Sequence, residues 1–472
     1  MRRNVAAFAI ALCFPCCVSS QDRLPVTSPS QPLETGKILA HVQCTAHPDQ
    51  SYALYLPSNY SSERRWPLVI SSDPGGRGSL PLELQKDAAE RLGYVLAASN
   101  NSRNGPWKPR FDATDATLAD MQARVSIDSR RVYFAGFSGG ARFSSQIATI
   151  CKCSAGVLLS GAGFSNAIMP SGDPVFPVFS TVGTLDFNYR EVVPLQEVLA
   201  KAGYPHWLRV FDGKHQWPPP EVMEEALIWF RVQAMKAGQE PRDSNFIDAR
   251  FSGAKARAEA LEKSGDLFGA WREYVQIAGT YDSLVDVGVV RAKAEALSKQ
   301  KTVRDAARRE ENEFREEEQL TSGISTGLLT PPKEFEAQRE NDRDLQDQIS
   351  RLRNNAEQEK RPEKARVFRR ALGDVFVTAM ESGNSLTEQK EFAAASRLYE
   401  FATVAMPESE WAWEQLATAR ALAGQRKGAI AALRRARQVA PDQSSFAQWL
   451  QSEAAFGALR STSDFQSLLE AR

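Results

Sequence analysis

RVYFAGFSGGARF, residues 131–143, reads as an apolar strand, a glycine-rich turn and the start of a helix. The helix continues as the amphipathic stretch ARFSSQIATIC, residues 141–151. Gly136-Phe137-Ser138-Gly139-Gly140 fits G-x-S-x-G, a pattern short enough to arise by chance, so its flanks decide its meaning. A sharp strand-to-helix turn needs small residues at Gly136, Gly139 and Gly140, because side chains there would strike neighbouring backbone. The same turn lifts the Ser138 hydroxyl clear of the strands and aims a helix N-terminus at whatever reacts beside it. In that context Ser138 is a nucleophile rather than a small turn residue.

Outward from this turn, short apolar runs alternate with helical stretches between about Lys37 and Gly238. The runs are YALYLP, PLVISSD, GYVLAASN, RVYFAGFS, AGVLLSG, VFPVFSTVG and HWLRVFDG. Helices are expected at 82–92, 115–125, 141–150, 191–202 and 220–237. Near-continuous apolar strands separated by helices predict an α/β, three-layer domain whose mostly parallel sheet is covered on both faces.

A serine hydroxyl needs a base. Of the four histidines, His41 and His47 precede the nucleophile strand, and His206 opens a strand, where a structural role is the default. His215 stands in the loop DGKHQWPPPE, between the last strand and the last helix of this region. That is where the chain order serine, acid, histidine puts a base. The acid is expected at the end of an earlier strand, where VFPVFSTVGTLD supplies Asp186; Asp212, beside the histidine, is the competitor. Its role is to fix the imidazole tautomer and to stabilise the imidazolium. An oxyanion hole needs two preset donors. One is the N–H of Gly139, and the other belongs in the loop Asp73-Pro74-Gly75-Gly76 after PLVISS.

Residues 50–235 resemble the α/β-hydrolases, closest to the secreted esterases that include polyhydroxybutyrate depolymerases and feruloyl esterases. The features that carry the resemblance are YALYLPSNY…WPLVISSDPGG, SIDSRRVYFAGFSGGARF, GTLD and GKHQWP. It implies Ser138 as nucleophile, Asp186 as orienting acid and His215 as base. Where the family usually carries His-Gly, this chain has Asp73-Pro74. Proline has no N–H, so the donor is expected from Gly75 or Gly76.

After about Gln239 strand signals give way to Ala, Leu, Glu and Arg. Residues 299–366 are highly charged and read as a solvated helical connector, interrupted by the turn-forming stretch TSGISTGLLTPPKEF. The last hundred residues repeat: Pro407 and Pro441, Ala395 and Ala429, Tyr399 and Leu433, and Ala402 and Ala436 each lie 34 apart. Trp413, Leu416, Ala417 and Gly424 add to a pattern similar to the tetratricopeptide repeat, with Arg420 as a departure and a degenerate copy around Gly265, Ala270 and Tyr274.

The N-terminus, MRRNVAAFAIALCFPCCVSSQD, has the basic start, short apolar run and small-residue end of an export leader. Its run is shorter than the roughly 20 residues of a membrane span. A lipoprotein reading through Cys13, Cys16 or Cys17 comes second, because no small residue precedes any of them. Beyond the leader no segment reads as transmembrane. In an oxidising compartment a disulfide from Cys44 to Cys151 or Cys153 is expected, since Cys151 and Cys153 stand too close to pair easily in an extended segment.

The expected layout is a leader at 1–20, a linker at 21–36, the α/β-hydrolase domain at 37–240, a degenerate repeat-like segment at 241–298, the charged connector at 299–366 and repeats at 367–472. With 58 basic and 58 acidic residues, charge favours neither nucleic acid nor an anionic membrane surface. No histidine–carboxylate cluster has metal-ligand spacing and no glycine run cradles phosphate, so neither metal nor cofactor is expected. The reading is an exported, periplasmic or extracellular serine ester hydrolase acting on a small or polymeric ester, with a helical module that binds a protein. A non-catalytic scaffold and a serine peptidase are the alternatives. Phe111, Trp107, Phe187 and Trp217 are candidates for an aryl pocket. The catalytic unit is expected to end near Gln239 and to fold without the helical half.

Overall fold

The computed structural model describes residues 33–165 and 169–470. The leader, most of the linker, and Cys13, Cys16 and Cys17 lie outside the described residues. The strands are β1 (Ile38–Gln43), β2 (Ser51–Tyr55), β3 (Trp66–Ser72), β4 (Val95–Ser99), β5 (Ile127–Phe137), β6 (Gly156–Ser160), β7 (Val178–Gly183) and β8 (His206–Phe211). They form one eight-stranded sheet in the order β1-β2-β4-β3-β5-β6-β7-β8. β2 runs antiparallel to both β1 and β4, and all other pairs are parallel. β1, with one buried residue along its length, is an edge strand that the apolar runs did not reveal.

Among the described residues six helices cover the sheet: α1 (Ser79–Leu92), α2 (Trp107–Arg124), α3 (Gly139–Cys151), α4 (Tyr189–Val192), α5 (Leu195–Lys201) and α6 (Pro220–Lys236). Alternation along β5 shows the layering. Tyr133, Ala135 and Phe137 join Leu82 of α1 and Phe230 of α6 in one core, whereas Val132 and Phe134 join Met121 of α2 and Ile147 of α3 in another. The expected three-layer, mostly parallel architecture is present.

Among the described residues eleven α-helices follow: α7 (Ser244–Ser264), α8 (Leu267–Tyr281), α9 (Gly288–Ser298), α10 (Lys301–Leu329), α11 (Phe335–Gln358), α12 (Pro362–Glu388), α13 (Phe392–Ala405), α14 (Glu410–Leu422), α15 (Arg426–Val439), α16 (Gln443–Ser452) and α17 (Ser463–Glu470). The core between the sheet and α6 continues without a break through Ile247, Tyr274 and Leu297. The indole of Trp229 on α6 donates to Thr280 Oγ1 of α8 at 3.0 Å. Packing therefore crosses the expected boundary at 240. A separate core unites α10 to α17. TSGIST, expected as an interruption, is helical within α10, because Ile324 and Leu328 extend the apolar stripe of Leu320 onto Leu345 and Ile349 of α11. No helix of the described residues is long and apolar enough to cross a membrane.

The expected disulfide from Cys44 is not formed. Cys151 pairs with Cys153, and Cys44 is a buried free thiol. Lys152 takes a left-handed conformation, φ 51°, at the end of α3. The segment is therefore folded back rather than extended, and the two Cα atoms stand 5.1 Å apart, within bonding range. Burial, aided by the nearby Asp120 carboxylate, pushes the Cys44 thiol up to about 11.

Candidate active site

Ser138 sits at the turn between β5 and α3 with φ 54°, a backbone conformation that L-residues rarely adopt. Its N–H donates to Ser160 O at 2.8 Å, tying the turn to β6. A Cβ at Gly136 would lie 2.2 Å from Gly140 O, and one at Gly140 would lie 2.0 Å from Ser72 O. Those two glycines are obligatory for steric reasons. Strain held at Ser138 by such tight neighbours marks a site rather than an ordinary loop.

The parallel strands bring the other two residues to the same edge of the sheet. His215 Nε2 lies 2.9 Å from Ser138 Oγ, and His215 Nδ1 lies 2.9 Å from Asp186 Oδ1. Asp186 follows β7 and is fully buried; its Oδ1 also accepts from the Asn188 N–H at 2.8 Å. Asp212 instead faces Thr184, whose hydroxyl donates to it at 3.1 Å. His206 binds the Tyr204 carbonyl oxygen through Nδ1 at 2.8 Å. The imidazole of His215 is held between Phe137 and Phe187, with ring centroids at 4.6 and 4.1 Å. Phe187, a candidate for an aryl pocket, thus packs on the His215 ring.

The N–H groups of Gly75 and Gly76, expected as oxyanion donors, both have acceptors within their own loop. Gly75 N–H donates to Asp73 Oδ1 at 2.9 Å and Gly76 N–H to Asp73 O at 3.0 Å, so both are committed. Asp73 is buried and must gather donors; Arg77 and the Trp217 indole, at 2.9 Å, supply the rest. Burial alone would raise its carboxyl, but the bonds from Arg77, Trp217 and Gly75 outweigh burial and hold it below the usual range. Trp217 is accordingly a buried support for this loop.

Asn104, which sequence reasoning missed, lies against Gly139. A Cβ at Gly139 would fall 2.1 Å from Asn104 Oδ1 and 2.7 Å from Nδ2. The Asn104 backbone is fixed by its N–H donating to Pro74 O at 2.8 Å, and its side-chain amide makes no hydrogen bond among the described residues. Gly139 and Gly140 open α3, where the first N–H groups have no intrahelical acceptor.

Ser138, Gly139 and Asn104 open into a cavity of about 920 Å³. One wall is built from the sheet domain, including Trp107, Arg110 and Phe187; the other comes from α10 and α12, with Phe314, Glu318, Asp374, Val377 and Glu381. Phe111 packs on Phe143 and on Trp107 of the sheet-domain wall. The two walls are locked together beside the histidine. Arg370 of α12, 1% exposed, binds Glu317 of α10 at 2.7 Å and donates to Thr184 O at 3.4 Å. Arg190 pairs with Asp374 at 3.2 Å, and Gly373 faces Phe187, whose Cβ a side chain there would approach to 3.2 Å and whose ring Cδ1 to 3.4 Å. Burial raises the carboxyls of Glu317 and Asp374 despite their arginine partners.

No protein-family model matches the chain, and no curated protein matches it. Among solved structures, the chain is similar to an S-formylglutathione hydrolase from Staphylococcus aureus, at 12% identity over 38% of this chain and 90% of that one, with a TM-score of 0.33. A ferulic acid esterase is 15% identical over 40% of this chain and 94% of its own, also at 0.33. An esterase from Pyrobaculum calidifontis is 14% identical over 43% of this chain and 85% of its own, again at 0.33.

Proposed function

We propose that this chain is a serine hydrolase that cleaves carboxylic esters through an acyl-enzyme. The observation that carries the reading is the continuous relay from Asp186 through His215 to Ser138, with both links at 2.9 Å. As Ser138 Oγ attacks the ester carbonyl, His215 Nε2 takes its proton and then delivers it to the departing alcohol. A water repeats the sequence in reverse and releases the acid. Asp186 keeps the Nδ1 proton on the far side of the ring and stabilises the imidazolium. The tetrahedral oxyanion is held by the N–H of Gly139 and, in place of Gly75 or Gly76, by Asn104 Nδ2. The leader-like N-terminus supports export to the periplasm or beyond the cell, and the 34-residue spacing supports a tetratricopeptide-like array able to bind a protein.

The test is a fluorophosphonate probe followed by chromogenic esters. The intact chain is expected to be labelled and to turn the esters over, and Ser138→Ala to lose labelling and at least about 10⁴-fold in kcat. Labelling of Ser138→Ala, or an intact chain inert to both reagents, overturns the reading.

A further inference from the structure

Three guanidinium groups line the cavity, those of Arg110, Arg142 and Arg190. Arg142 grips Glu191 through two bonds of 2.7 Å, and Arg190 reaches Asp374 at 3.2 Å and Glu317 at 3.9 Å. Arg110 differs from both, because among the described residues it has no carboxylate partner. Its hydrogen bond runs from Nη2 to the Gly139 carbonyl oxygen at 3.0 Å, and its Nε is buried with no acceptor. The side chain is 4% exposed, with its guanidinium over the Phe143 ring at 4.2 Å and the Trp107 ring at 5.3 Å.

Burying a charge without a counter-charge is unfavourable unless something else offsets it. Desolvation lowers Arg110 to about 10, which still leaves it cationic at neutral pH. The two rings fix its orientation, and its bond to Gly139 places it one residue from the nucleophile. A rigid, unpaired cation in a catalytic cavity fits an anion that arrives with the substrate. Its Nη1 makes no hydrogen bond among the described residues, which leaves N–H donors for a carboxylate oxygen. The exposed carboxylates of Glu318 and Glu381 on the facing wall disfavour groups of higher negative charge.

We propose that Arg110 binds a carboxylate carried by the ester substrate, so that the enzyme acts on esters in which the acyl or the alcohol half is itself an acid. The proposal rests on the esterase reading and is tested separately from it. Binding is measured by calorimetry on the Ser138→Ala chain, which needs no turnover. Monomethyl adipate is compared with methyl hexanoate for an acyl-side acid, and 3-(hexanoyloxy)propanoate with propyl hexanoate for an alcohol-side acid. One acid is expected to bind at least about 10-fold tighter than its neutral partner. That ratio should collapse towards one in Ser138→Ala/Arg110→Gln and survive in part in Ser138→Ala/Arg110→Lys. Equal binding within both pairs on the Arg110-containing chain overturns the proposal, and so does a preference that persists in a folded Arg110→Gln variant. Turnover by the intact chain is read independently. An Arg110-dependent preference without turnover removes the esterase reading and leaves the carboxylate site standing. Turnover without any carboxylate preference does the reverse.

Discussion

Replacing Asn104 with alanine takes away the amide proposed to hold the oxyanion together with the Gly139 N–H. The expected result is a fall in kcat of about 10²- to 10³-fold with little change in KM, since the bond matters only when charge develops on oxygen. Steady-state kinetics on a chromogenic ester read this, and a kcat within a few-fold of the intact chain would remove Asn104 from the role. Gly139→Ala should act in the same direction by pushing the amide away, because its methyl would land 2.1 Å from Asn104 Oδ1. His215→Ala should be nearly as severe as loss of the serine, whereas His206→Ala should lower the melting temperature and spare turnover in the folded fraction. An inactive but fully folded His206→Ala protein would contradict the distances. The juxtaposition of Ser138, Asp186 and His215 was legible because strand ends and chain order constrain where such side chains meet. Asn104 and Arg110 were not, because Asn104 lies in the loop before α2 and Arg110 in the first turn of that helix, where no periodicity or motif fixes a side chain. The commitment of Gly75 and Gly76 to Asp73 was equally hidden, because it depends on Asp73 being buried.

At the scale of elements, the helices that bury an apolar stripe were readable and the backbone details between them were not. α3 and α6 lie within a residue or two of expectation, because their capping glycines and prolines are local signals. α10 overran its expected break because three apolar residues spaced at one helical turn outweighed Ser and Gly propensity. The Cys151–Cys153 pair turned on the left-handed Lys152, which sequence does not announce. α14 carries a prediction of its own. Burial, with repulsion from Glu410, raises the Glu414 carboxyl to about 7. The folded chain therefore keeps a proton that the unfolded chain has released, so this contribution to stability is complete at low pH and is lost as pH rises through about 7. Calorimetric melting should show the α10–α17 core weakening between about pH 5 and pH 8. Glu414→Gln should flatten that dependence and raise the melting temperature at the upper end. An unchanged slope would mean that Glu414 titrates like an exposed glutamate.

For the whole molecule, the expected end of a catalytic unit near Gln239 falls inside a continuous core. The core shared by α6 and α8 means that a chain ending at residue 240 would expose Trp229 and the apolar flank of α6 to water. A contiguous apolar face of that kind favours aggregation. A chain ending at residue 300 keeps α7 to α9 and all of that core but Val303, and loses α10 and α12. Those helices supply the second wall of the cavity and the Arg370 clamp beside Phe187, which packs on the base. Residues 21–240 should therefore be insoluble or unfolded. Residues 21–300 should be soluble and reactive to a small fluorophosphonate, yet should lose selectivity among ester chain lengths relative to the full chain. The comparison needs solubility, a melting curve and a chain-length panel for each protein. A soluble 21–240 fragment with the turnover and selectivity of the full chain would show the helical half to be an independent module. Altered selectivity in 21–300 alone would place α10 and α12 in the substrate-binding surface.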